Sequence, residues 1–150
     1  MNLQPGRWTA RGSLLAEGQS RGQALSCEVQ VQRDADGHTL TGHWQLPDTA
    51  AREFALRVVA NDVGTYTLGM RMAGDGLQGT AKLDSSPNLG LLWNDAGTLH
   101  ATFALFPLAR GFGLRGFARD GGHVYTWEMS FSLHQETVRS DNVVSLRRRR

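Results

Sequence analysis

A single cysteine, Cys27, in a chain of 150 residues excludes an internal disulfide, and with it the class of small domains held together by sulfur bridges. Four prolines against eighteen glycines fit tight turns, not a collagenous or low-complexity chain. No stretch is apolar for the roughly 20 residues that a membrane helix needs, and the opening residues lack the apolar run of a secretory leader. A cytoplasmic, reducing location is expected. Helical periodicity is missing too: only residues 49–53 offer one turn of helix.

Net positive charge is confined to one place. The net charge of +2 falls to −2 when Arg147, Arg148, Arg149 and Arg150 are set aside. Basicity therefore belongs to a tail, residues 137–150, expected to be solvated and disordered, and residues 1–136 form the folded domain. A near-neutral domain argues against nucleic acid as a partner.

What is present is a period of two. Leu25, Cys27, Val29 and Val31 alternate with Ser26, Glu28, Gln30 and Gln32. After the turn Asp34-Ala35-Asp36-Gly37, Leu40, Gly42, Trp44 and Leu46 resume the alternation. This is a β-hairpin with one dry face and one wet face. The grammar repeats along the chain. Trp8, Ala10, Gly12 and Leu14 share a face, then Phe54, Leu56 and Val58, then Tyr66, Leu68, Met70 and Met72. Leu77, Gly79, Ala81 and Leu83 follow, then a short strand over residues 89–93, then Leu99, Ala101, Phe103 and Leu105. Phe112 and Leu114 lead to the clearest strand, His123, Tyr125, Trp127, Met129, Phe131 and Leu133. About ten strands joined by tight turns predict an all-β fold, an antiparallel up-and-down β-barrel closed on itself.

Gly6-Arg7-Trp8 at the start of such a meander resembles the opening of the calycin superfamily, the lipocalin-like β-barrels that hold hydrophobic small molecules. The resemblance spans residues 6–134. It implies that Trp8 plugs one end of the barrel and that an arginine late in the chain packs over it, which here leaves Arg119 or Arg139. Ser86-Pro87-Asn88-Leu89 is similar to a segment of the bilin lyases in that superfamily. Those follow it with basic residues where Gly90, Leu91 and Leu92 stand, so that activity is not carried over.

The dry faces nominate a ligand site: Trp44, Tyr66, Met70, Met72, Phe103, Tyr125, Trp127 and Met129. Aromatic rings and thioethers suit an adaptable apolar ligand, and a barrel of ten strands is wider than side chains alone fill. The bland reading of each residue is core. Cys27 reads as a small inward hydrophobe.

Gly111-Phe112-Gly113-Leu114-Arg115-Gly116 has the glycine spacing of a dinucleotide loop, but another strand follows instead of a helix, so the glycines are expected to ease strand curvature. The five histidines lack paired metal-ligand spacing, so no metal and no cofactor is expected. His38 and His43 are expected at a turn or on a wet face. His100 and His123 are the two able to face inward, where a lone histidine is the haem-ligand arrangement.

Residues 89–117 carry apolar groups on both faces, with Leu92, Ala104, Phe106 and Phe117 opposite the dry set. They predict either a homodimer contact or a greasy lip, Leu105-Phe106-Pro107-Leu108-Ala109, at the barrel mouth. The expected function is binding of a hydrophobic or amphipathic small molecule. An enzyme on the same barrel (a cyclase, isomerase or lyase) and a protein-interaction module are the alternatives.

Overall fold

The computed structural model describes residues 2–134. The 137–150 tail and Arg139 lie outside the described residues. The chain forms ten strands: β1 (Gly6–Ala16), β2 (Gln23–Arg33), β3 (Gly37–Gln45), β4 (Arg52–Ala60), β5 (Tyr66–Met72), β6 (Asp75–Lys82), β7 (Asn88–Trp93), β8 (Leu99–Leu108), β9 (Gly111–Asp120) and β10 (His123–Leu133). Each pairs antiparallel with the next, and β1 pairs with both β2 and β10, closing an up-and-down barrel. The seam is continuous from Trp8 opposite Leu133 to Ala16 opposite Tyr125. It is extended at one end by the His134 amide, which donates to the Arg7 carbonyl at 2.7 Å. Closure leaves no strand edge, the aggregation hazard of an open sheet.

Local chemistry sets the links. Asp34 Oδ1 accepts from the amides of Asp36 and Gly37 at 2.9 and 3.0 Å, which folds the β2–β3 hairpin. The Arg57 guanidinium then grips both oxygens of Asp34 at 2.8 Å, tying that turn to β4. The fork holds the Asp34 carboxyl well below its ordinary range, with the amide of Asp36 next in effect. Residues 49–53 are not helical. They run through the bend after Leu46 into β4, which begins at Arg52, because the alternation of Phe54, Leu56 and Val58 places that segment in the sheet.

Inward residues form two buried clusters on opposite walls. One gathers Trp8, Ala10, Leu25, Cys27, Val29, Val31, Met129 and Phe131. The other gathers Val58, Tyr66, Leu68, Leu77, Ala81, Leu83 and Leu92. Leu40 packs against both. Leu92 is therefore inward and buried, not on the outer wall. The run Leu89-Gly90-Leu91-Leu92 has no alternation to read. Pairing decides it: Gly90 stands opposite inward Ala81 and Phe103, which turns Leu92 in and Leu89 and Leu91 out.

Candidate functional site

The barrel has unlike ends. β1, β3, β5, β7 and β9 begin at one of them, where Trp8, Val31, His38, Val58, Tyr66, Ala81 and Leu83 are all buried. Trp8 lies 5.3 Å from the Phe112 ring, which stacks on Phe131 at 4.8 Å, and its Nε1 donates to the Gln4 carbonyl at 2.9 Å. Trp8 thus sits in a packed aromatic group at the closed end, with Phe112 as its ring neighbour. Arg119 is the penultimate residue of β9, at the opposite end, so it does not cover Trp8.

At the other end, Leu25, Leu77 and Leu92 are buried, but Leu14, Trp44, Phe54, Met72, Leu99, Ala101, Tyr125 and Trp127 are only partly buried. Leu56, Met70, Phe103 and Leu114 lie further in and face inward, yet they too keep some accessible surface. In a closed wall the backbone covers their outer side, so that surface faces the lumen.

Two glycines let inward rings lie close to the barrel wall. Gly90, Phe103, Gly116 and Trp127 form one cross-strand row over β7 to β10. A Cβ on Gly90 would lie 2.1 Å from Phe103 Cζ, and one on Gly116 would lie 2.4 Å from Trp127 Cζ2. Each ring therefore occupies the space that a side chain at the glycine opposite it would fill. The glycines read as easing curvature in β9 include this second job. Gly113 seats the Phe106 ring on the outer wall in the same way.

The eight nominated residues divide between the walls. Trp44, Trp127 and Met129 belong with the first cluster. Tyr66, Met70, Met72 and Phe103 belong with the second. Tyr125, partly buried near the start of β10, joins neither. Tyr66 and Met129 are buried outright, and the Tyr66 hydroxyl donates to Asp84 Oδ1 at 2.7 Å, which raises its pKa. A depression of about 880 Å³ lies at the edge of β3 to β5, lined by outward Thr41, His43, Glu53, Ala55 and Arg71 and by inward Phe54 and Met72, and it touches only Met72 of the eight.

The histidines differ most from expectation. His100 is exposed on the outer face of β8, and His123 is exposed at the first position of β10, so neither is placed to ligate a haem. His43 is on the outer wall, 3.9 Å from Glu28. His38, expected at a turn, is inward and 6 % exposed. The strand starts at Gly37, one residue earlier than the alternation shows, and His38 shares the parity of Leu40. Burial, then the field of Arg33, holds its imidazole below the ordinary value of 6.5, against an opposing pull from the Leu3 carbonyl. The unfolded chain therefore takes up this proton first as pH falls, so the stability linked to His38 is lost as pH drops below about 6.5. The urea midpoint is expected to fall between about pH 7 and pH 5, and His38→Gln is expected to flatten that fall. A wild-type midpoint that is level over this range contradicts the assignment.

Cys27 is inward and buried, and burial, with Glu28 adding to it, pushes the thiol up to about 12. It stays protonated and acts as an apolar side chain.

The outer wall of β7 to β9 carries exposed apolar side chains around Thr102. Leu89, Leu91 and Phe117 are 45 %, 47 % and 52 % exposed and neighbour outward Ala104 and Phe106. Leu108 is also exposed, but it lies at the closed end beside Gly111, so residues 105–109 form no lip at the open mouth. No family model matches this chain, and no curated protein matches it.

Proposed function

We propose that the barrel binds a hydrophobic or amphipathic small molecule in its lumen, in the manner of a calycin. The observation that supports this reading most is the partly exposed inward set Leu56, Met70, Phe103, Leu114 and Trp127, between one packed end and one less covered end. Flexible thioethers and aromatic rings suit ligands that vary in shape. The test is quenching of tryptophan fluorescence by phenylnaphthylamine, a neutral apolar dye. Trp127→Ala is expected to remove most of that quenching while leaving the circular dichroism spectrum unchanged. Quenching that survives replacement of both Trp44 and Trp127 places the dye outside the lumen.

The proposed partner on the β7–β9 wall is a second copy of the chain. Leu89, Leu91 and Phe117 form an apolar centre, and the ion pair of Arg115 with Glu128 at 2.8 Å supplies both signs of charge beside it, as a self-complementary two-fold contact needs. Native mass spectrometry is expected to give twice the chain mass, and Phe117→Glu is expected to return it to one chain. A wild-type mass of one chain overturns this partner. The single buried thiol supports the cytoplasmic location proposed for the chain.

A further inference from the structure

Four of the five strands that begin at the closed end turn a polar atom inward near their first residues: Trp8 on β1, His38 on β3, Tyr66 on β5 and Asn88 on β7. Trp8 Nε1 and the Tyr66 hydroxyl have the partners already described. His38 Nε2 and Asn88 Oδ1 are buried with no hydrogen-bond partner among the described residues. Buried polar atoms are nearly always paired, so two at one end of one barrel point to a ligand or solvent group that completes them.

Inward residues with accessible surface lie next to His38 on its own and the neighbouring strand. Leu40 and Leu56 stand opposite each other and are both partly exposed. His38 is the next inward position on β3, about 7 Å along the strand from Leu40. We propose that the lumen floor is a head-group site in which His38 Nε2 hydrogen-bonds the neutral polar end, a hydroxyl or amide, of an elongated amphipathic ligand. The apolar chain of that ligand runs past Leu40, Leu56 and Met70 towards the open end. Asn88 Oδ1, an acceptor, offers a second polar point on the opposite wall.

A neutral head fits better than a carboxylate. The imidazole is kept uncharged by burial, with the field of Arg33 next in effect, so His38 itself brings no charge to pair with a carboxylate. Arg33 stands in register with His38, but at the exposed last position of β2. This inference rests on the lumen-binding reading and narrows it to a ligand class and an orientation.

The experiment uses the full chain loaded with phenylnaphthylamine, displaced by decanol or by decanoate. Wild type, His38→Leu and His38→Gln are expected to bind the dye equally. Decanol is expected to displace it about 10-fold less well from His38→Leu, within about 3-fold of wild type from His38→Gln, and better than decanoate does from wild type. In the unsubstituted protein, the imidazole nitrogen NMR signal of His38 is expected to shift on adding decanol, a readout that stands if His38→Leu fails to fold. Dye binding with a decanol affinity and a His38 signal that do not respond overturns the head-group site and leaves the lumen reading intact. Stronger displacement by decanoate overturns the neutral head. Failure of the dye to bind wild type removes the lumen reading, and the head-group site with it.

Discussion

Trp8→Ala is expected to lower the unfolding free energy by about 3–5 kcal/mol, measured as a lower urea midpoint at unchanged slope. The ring is buried, its edge is hydrogen-bonded to Gln4, and it packs against Phe112, which in turn stacks on Phe131. Deleting it leaves a hole in the packed end, where Val31 and Val58 are among the driest residues of the fold. Val31, in the same cluster as Trp8, cannot collapse into that hole, because it is held in register by hydrogen-bonded strands on each side. A loss below about 1 kcal/mol would mean that the end is closed by something other than this ring. Trp8→Phe, which keeps most of the volume and loses the bond to Gln4, is expected to fall between the two.

Gly12→Ala is the second large effect, and its cause is backbone, not side chain. A Cβ at Gly12 would lie 1.7 Å from the Glu128 carbonyl oxygen and 2.8 Å from Met129 Cα, both on the neighbouring β10. No rotamer change relieves that contact. The β1–β10 seam must part locally, and this seam is what closes the barrel. The expected cost is about 3 kcal/mol or more, at the upper end of overpacking effects, with a corresponding fall in melting temperature. Gly69→Ala is the matched control, since a Cβ there meets nothing within 4 Å. It is expected to change stability by no more than about 0.5 kcal/mol. Equal effects at the two sites would contradict the close approach of β1 and β10.

Alternation made most of the fold legible, because a barrel wall with a dry inside and a wet outside prints a period of two on every strand. The inward sets of β1, β2, β5, β6 and β10 could be read residue by residue from that period. It failed where the wall is apolar on both sides. In Leu89-Gly90-Leu91-Leu92 nothing alternates, so the facing of Leu92 depends on its partners across β6 and β8, which are distant in sequence. His38 was hidden for a different reason: Asp36-Gly37 reads as a turn, and the histidine is the first inward position after it. The seats of Phe103 on Gly90 and Trp127 on Gly116 were out of reach as well. Each depends on cross-strand register, set by turn lengths and not by composition. Seven of the eight nominated aromatic and thioether residues pack in or against the two buried clusters, and Tyr125 does not. Their division between two walls follows from barrel order, which places β3 and β10 on one side and β5 and β8 on the other.

The most direct test is NMR of the protein labelled on its methionine methyl groups, with phenylnaphthylamine added. Met70, Met72 and Met129 sit on inward positions of two different strands. A dye held in the lumen is expected to give nuclear Overhauser contacts to the methyls of Met70 and Met72 on β5 together with aromatic protons of Trp127 on β10. Contacts confined to outer-wall groups such as Leu91 and Phe117, with the three methionine methyls silent, would contradict a ligand-holding lumen.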